Sequence, residues 1–120
     1  MANINDLYLK SFGQQGSVFS DSTDPITPPS NKVFIAITFL STTTFDSSGG
    51  LKADTSNDSL EFVGTEAAAH NLSVGSETNV SGGGGIQIDV SNSFPKGMTI
   101  YGRWTEIDPA SGTIIAYIGD

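Results

Sequence analysis

The class of fold is decided by residues 94–119, which read FPKGMTIYGRWTEIDPASGTIIAYIG. Apolar and polar residues alternate through much of this stretch, and β-branched and aromatic residues are frequent, as is typical of strands. The pattern predicts one strand over 98–105 and a returning strand over 113–118. Between them, Asp108 to Gly112 predicts a short hairpin loop in which Gly112 takes the left-handed conformation.

The first of these strands has two different faces. Ile100, Gly102 and Trp104 share one face, whereas Tyr101 and Arg103 share the other. We expect Trp104 to be a buried core residue. Gly102 lies opposite the bulky returning strand in any plausible register of the hairpin, so we also expect either a bulge or the close packing of an aromatic ring at that position.

A central strand is predicted at residues 33–40, VFIAITFL. Alternation places Phe34 on one face and Ile37 on the other, and both faces are apolar. Such a pattern is typical of a strand that is covered on both sides.

Shorter strands are predicted at 60–63 and 86–90, with Gly-, Pro- and Ser-rich turns between the elements. We therefore predict an all-β fold, an antiparallel β-sandwich or a jelly-roll-like barrel. A single β-domain over 32–120 would follow an extended N-terminal arm over 1–31.

The expected arm is interrupted by glycine and proline but carries apolar anchors. Phe12, Val18, Phe19 and Ile26 are apolar anchors that a purely solvated tail does not need. The candidate interface residues of the arm are Tyr8, Phe12, Phe19 and Ile26. We predict that they contact a neighbouring subunit; a loosely ordered terminus is the alternative.

Composition excludes several classes of partner. The chain has 120 residues and a formal net charge of -8, and its five Lys and Arg residues are scattered, so nucleic acid is not expected as a partner. No cysteine is present for a disulfide or a thiolate metal site. Neither a secretory signal nor a membrane-spanning apolar run is found, so we expect synthesis in a cytoplasm and no membrane partner.

The sequence offers no constellation for catalysis. His70 is the only histidine, and no Gly-x-Ser-x-Gly elbow is present. We therefore predict no catalytic residue, no cofactor and no enzyme activity. A structural calcium near Asp46, Asp54 and Asp58 is left open, because calcium takes oxygen ligands from such loops.

The C-terminal aromatic residues allow two interpretations. Tyr101, Trp104 and Tyr117 are either packing residues or a carbohydrate-binding platform. Arg103 is expected either to form an ion pair, with Glu106, Asp108 or an acid of a neighbouring subunit, or to lie exposed at an edge. Tyr101, Arg103 and Tyr117 are therefore also candidate interface residues.

The segment FPKGMTIYGRWT, together with the closing IAYIG, resembles the ends of small virion structural proteins of marine tailed phages. The resemblance covers about a quarter of the chain and rests on the Ile-Tyr-Gly-Arg-Trp core. It implies a non-enzymatic, β-rich, oligomeric subunit of the virion.

The resemblance implies a capsid- or tail-associated subunit, and together with the enzyme-poor β-rich sequence, the absence of cysteine and the apolar arm it leads us to predict a capsid decoration (cement) subunit. Such a subunit would stabilise the shell as a homotrimer bound to the major capsid protein of a phage, and its final location would be the virion. Two alternatives stay open, namely a tail or fibre component and a carbohydrate-binding β-module.

Overall fold

A computed structural model describes residues 15–47, 49–54, 56, 62–65 and 88–120. All regular structure in this part of the chain is strand. The strands are β1 (Ser17–Ser20), β2 (Val33–Phe39), β3 (Thr44–Phe45), β4 (Leu51–Ala53), β5 (Thr99–Ile107), β6 (Pro109–Ser111) and β7 (Ile114–Gly119).

The strands form two antiparallel sheets. The larger sheet has five strands in the order β1-β7-β2-β5-β4, and the smaller one pairs β3 with β6. The prediction of an all-β chain is therefore confirmed for the described residues. The core lies on one face of the larger sheet, where the side chains of Phe34, Phe39, Phe45, Trp104 and Ile114 are fully buried.

The predicted C-terminal hairpin is wrong in its pairing. β5 and β7 are not neighbours, because β2 lies between them and pairs with both. β2 is strongly apolar, and its central position buries more of it than an edge position would. The connection is also more than a turn, since β6 pairs with β3; Gly112 within it has the predicted left-handed φ of 106°.

The central position of β2 is confirmed, but simple alternation along it fails. Phe34 lies opposite Trp104 while Ala36 lies opposite Tyr101, so β5 has an extra residue at this point. Against β7, Phe34 lies opposite Ile118 and Ala36 lies opposite Tyr117, so β2 itself has an extra residue at Ile35. This second irregularity puts Phe34 and Ile37 on the same face, and both are fully buried in the core.

The expectations for Gly102 and Trp104 are both confirmed. Gly102 lies within the bulge, and a Cβ atom at that position would be 2.7 Å from Cζ2 of the Trp104 ring. Trp104 is fully buried, and its Nε1–H donates a hydrogen bond of 2.7 Å to the carbonyl of Val63. A glycine is therefore required where the ring crosses the backbone of its own strand.

The expected arm does not stay apart from the domain throughout. Its described residues include β1, which pairs with β7 at the edge of the larger sheet. The predicted strands at 60–63 and 86–90 lie partly outside the described residues, and their described parts, 62–63 and 88–90, are not in strands.

Candidate functional site

The side of the larger sheet that faces away from the core forms a surface that we call the outer face. Directly opposite residues of paired strands point to the same side of a sheet, so the register defines its members. They form two rows, each of which crosses β1, β7, β2 and β5 in that order. The first row is Phe19, Ile115, Thr38 and Thr99. The second row is Ser17, Tyr117, Ala36 and Tyr101.

The two rows of the outer face contain no charged residue. Tyr101 is 77% exposed and Phe19 is 60% exposed, although both are large and mostly apolar. Between Tyr101 and Tyr117 lies Ala36, which is only 7% exposed and forms the floor between the two rings. Aromatic residues left exposed on an uncharged sheet are typical of a contact surface.

One polar pair interrupts the apolar surface without adding charge. The hydroxyl groups of Thr38 and Thr99 lie 2.8 Å apart and are hydrogen bonded to each other. In this bond one hydroxyl donates and the other accepts, so a partner that covers the pair has one remaining O–H donor to satisfy.

Ion pairs lie at the rim of the outer face. Arg103 donates from Nε to Oδ2 of Asp54 at 3.0 Å and from Nη1 to the carbonyl of Asp120 at 2.6 Å. Lys32 donates to the carboxylate of Asp120 and, at 2.8 Å, to Oε1 of Gln15. This arrangement of an apolar centre and a polar rim is that of protein interfaces.

The predicted ion pair of Arg103 is present, but its partner within the chain is Asp54 and not Glu106 or Asp108. Glu106 lies opposite Lys52, with its Oε2 3.7 Å from Nζ, whereas Arg103 sits in the bulge and reaches Asp54 beside the neighbouring strand. Burial alone would raise the pKa of Asp54. Hydrogen bonds from Ser56 and Arg103, together with the charge of Arg103, outweigh burial and lower the pKa of Asp54 below its usual value.

A pair of carboxylates lies at the end of β5. Burial raises the pKa of Asp108, and the negative charge of Asp46 beside it raises that pKa further. Oδ1 of Asp108 is buried and accepts no hydrogen bond within the described part of the chain. Both effects make the Asp108 carboxyl easier to protonate than an exposed aspartate.

Two of the aspartates considered for a structural calcium interact with other side chains. Of the three aspartates considered, Asp54 is held by Arg103, Asp46 is beside Asp108, and Asp58 lies outside the described residues. Among the described residues, no group of three or more His, Cys, Asp or Glu side chains is placed to hold a metal.

The structure brings several predicted interface residues together. Phe19, Tyr101 and Tyr117 lie on the outer face and Arg103 at its rim. Ile26 lies elsewhere, since it exchanges backbone hydrogen bonds of 2.8 and 3.0 Å with Ile107 and packs against the core.

Three other residues that the sequence singled out are not among the described residues of the outer face, namely Tyr8, Phe12 and Trp104. Tyr8 and Phe12 lie outside the described residues. Trp104 is fully buried, so the carbohydrate platform predicted from Tyr101, Trp104 and Tyr117 is wrong in its central member.

Sequence reasoning missed Ala36 and Thr38 as members of the outer face. Alternation assigned both residues to the same face as the apolar Phe34 and Leu40, so that face was expected to be covered. The extra residue at Ile35 instead puts Phe34 on the core side, away from both residues. Ile115 and Tyr117 were detectable, since alternation in β7 is regular and sets them opposite the buried Ile114 and Ala116.

Comparison of the chain with known protein families, curated proteins and solved structures found no match. Within the described residues, no helix has the length and apolar character needed to cross a membrane.

Proposed function

We propose that this chain is a non-enzymatic structural protein of a phage virion, and specifically a capsid decoration subunit. It would bind the major capsid protein and stabilise the shell as a homo-oligomer, for which a trimer is the expected form. The proposed fold is a β-sandwich or jelly-roll-like barrel, with the outer face as its contact surface.

The exposed aromatic outer face is the observation that carries this proposal. Phe19 and Tyr101 are 60% and 77% exposed. Covering their exposed apolar surface, about 250 Å², would contribute about 6 kcal/mol at about 25 cal/mol/Å² before the costs of association. A protein that worked alone would gain nothing from exposing this surface.

The C-terminal resemblance of FPKGMTIYGRWT and IAYIG to virion structural proteins supports the same function, and so does the distribution of charge. The chain carries a formal net charge of -8, and its outer face is uncharged, so the apolar contact forms without bringing acids together. The acidic remainder of the surface favours docking on a basic partner. Binding to the assembled shell would stabilise it by mass action, because the loosened shell lacks the complete binding site.

The proposal is tested by light scattering of the purified protein and by its binding to expanded capsids. We expect an oligomer that binds capsids, and we expect Tyr101→Ser to weaken both properties. Val90→Ser is the matched control, because Val90 is 49% exposed but lies in a turn away from the outer face. A strict monomer that does not bind capsids would contradict the proposal.

The tail or fibre alternative differs in copy number. A decoration subunit is present in many copies in each virion, whereas a tail component is present in few. Quantitative mass spectrometry of purified virions distinguishes the two.

The carbohydrate alternative is supported only by Tyr101 and Tyr117, which flank Ala36 on the outer face. Two rings about one small residue are suited to stacking on a sugar. Binding to a glycan array that is abolished by Tyr101→Ala, with the fold intact, would favour this function over the virion role.

A further inference from the structure

The free edge of the larger sheet is formed by β1. The N–H of Ile118 donates to the carbonyl of Gly16 at 2.9 Å, which sets the phase of the β1–β7 ladder. Since backbone groups alternate in direction along an antiparallel ladder, those of Val18 face β7, whereas those of Ser17 and Phe19 face away. No described residue hydrogen bonds to these outward groups.

This edge lacks charge and proline, two of the features that usually prevent strand addition, although β1 is short at four residues. β1 reads SVFS and contains no charged residue and no proline. Edge strands that carry neither are open to pairing with a further strand. The available N–H and C=O groups belong to Ser17 and Phe19, which are two positions apart. Residues two positions apart on a strand bond to the same neighbouring strand in an antiparallel ladder.

We propose that this edge is occupied by β1 of a second copy of the chain, antiparallel and related by a two-fold axis at Val18. The N–H of Phe19 donates to the carbonyl of Ser17 in the second copy, and the N–H of that Ser17 donates to the carbonyl of Phe19. The symmetry axis repeats both bonds. The two five-stranded sheets thereby become one continuous sheet.

The side chains in this register are complementary in size. Phe19, which is 60% exposed, lies opposite Ser17 of the second copy. Ser17 is in turn opposite Tyr117, so the small serine leaves room for the Phe19 ring to approach the second copy's Tyr117. The outer faces of the two copies therefore join into one apolar surface.

Charge complementarity at the ends of β1 favours a second copy over an unrelated partner. Asp21 follows β1 and Gln15 precedes it with one residue between, so the antiparallel arrangement brings Asp21 to the end of β1 of the second copy near which Gln15 lies. The Oε1 atom of Gln15 accepts a hydrogen bond of 2.8 Å from Lys32, so the Asp21 carboxylate approaches the ammonium group of Lys32. Each contact thus pairs an acid with one of the five cations of an otherwise acidic chain.

This inference deepens the proposed function, because it names one contact through which copies of the chain associate. The contact is two-fold, so it produces either a dimer or, if the proposed trimer also forms through other surfaces, a hexamer in which trimers are joined in pairs. A trimer held only through other surfaces would not use it. The two proposals can therefore fail separately.

Engineered disulfides test the register directly. The chain has no cysteine, so Val18→Cys carries a single thiol that faces its counterpart across the axis. Directly opposite residues that do not share hydrogen bonds have Cα atoms about 4.5 Å apart, within the roughly 4.4–6.8 Å that a disulfide spans. Two residues at position 19 are diagonal neighbours about 7–8 Å apart and exceed that range.

We expect Val18→Cys to form a covalent dimer at least about ten times faster than Phe19→Cys or the exposed loop variant Ser93→Cys, since only the first meets the geometric requirement. Equal rates for Val18→Cys and Ser93→Cys would overturn the proposed contact. The experiment needs no capsid, so its result is independent of the virion role.

A matched pair of variants tests the hydrogen bonds. Phe19→Pro and Phe19→Ala both remove the ring, but only proline removes the outward N–H, and it leaves the ladder to β7 intact. In sedimentation equilibrium we expect the dissociation constant of Phe19→Pro to exceed that of Phe19→Ala by about ten-fold or more. Circular dichroism of both variants verifies that they are folded.

The possible outcomes separate the two proposals. A trimer whose mass is the same in Phe19→Pro and Phe19→Ala, and which binds capsids, overturns the β1 contact and leaves the virion role standing. An even-numbered assembly that depends on the Phe19 N–H but ignores capsids supports the contact and overturns the virion role.

Discussion

Replacing Trp104 with Ala tests the packing that holds the outer face in place. The side chain is fully buried and lies against Gly102 of its own strand. Truncation of a buried aromatic residue costs about 3–5 kcal/mol, because apolar burial is lost and a cavity remains. Since domains are stable by only about 5–15 kcal/mol, the variant should lose a large part of its free energy of unfolding.

The more conservative change Trp104→Phe isolates the hydrogen bond. Phe keeps a ring in the core but removes the Nε1–H that donates to the Val63 carbonyl at 2.7 Å. Leaving that carbonyl without a partner should cost about 1–3 kcal/mol, in addition to a small packing loss. The expected order of stability is therefore wild type, Trp104→Phe, Trp104→Ala.

Urea denaturation followed by circular dichroism is the appropriate assay, because both variants lack the only tryptophan of the chain. Tyr101→Ala is the control; Tyr101 is 77% exposed, and its loss should change the free energy of unfolding by no more than about 0.5 kcal/mol. A cost below about 1 kcal/mol for Trp104→Ala would refute this account of the core. Red-shifted, readily quenched tryptophan fluorescence in the wild type would refute it as well.

Three further predictions concern the bulge and the two carboxylates. Gly102→Ala places a Cβ atom 2.7 Å from the Trp104 ring and should cost about 1–3 kcal/mol in urea denaturation; a neutral result would mean that the ring can move aside. Asp108 has a raised pKa, so the wild type should gain stability as pH falls from 7 through the folded pKa towards the unfolded value near 3.8. Asp108→Asn should be more stable than wild type at pH 7 and lack this gain in a series of thermal melts; an identical pH profile would contradict the assignment. Asp54 has a lowered pKa, so its contribution is present above pH 3.8 and is lost as pH falls through the folded pKa. Asp54→Asn should therefore lose about 0–1 kcal/mol at pH 7, as expected for a partly exposed pair, and a larger stability at pH 7 would contradict the ion pair.

The sequence predicted local features of the fold well. The all-β class, the central position of β2 and the burial of Trp104 follow from side-chain chemistry that acts within one strand. The close approach at Gly102 was also predicted, but from a wrong premise, because the returning strand that was expected opposite Gly102 is not paired with β5. Each of these features depends on residues near one another in the chain.

The pairing of strands was not predictable in the same way. Alternation identifies a strand and its buried side but not its neighbour, so the insertion of β2 between β5 and β7 left no local signal. The same limit applies to Arg103, whose partner Asp54 is distant in sequence and lies beside the neighbouring strand. Which distant strands pair, and therefore which distant residues meet, is decided by the packing of the whole sheet and not by the local sequence.

The bulge in β5 connects the core to the candidate surface. Its extra residue lets the backbone at Gly102 pass beneath the Trp104 ring on the core side. On the other side, Arg103 binds Asp54 and the Asp120 carbonyl at the rim, so it does not lie over the aromatic rows. Tyr101 consequently stays exposed, and the guanidinium group of Arg103 does not cover it. If the outer face is a contact surface, a change at Gly102 should disturb association as well as stability, although this residue contributes no side chain to the surface.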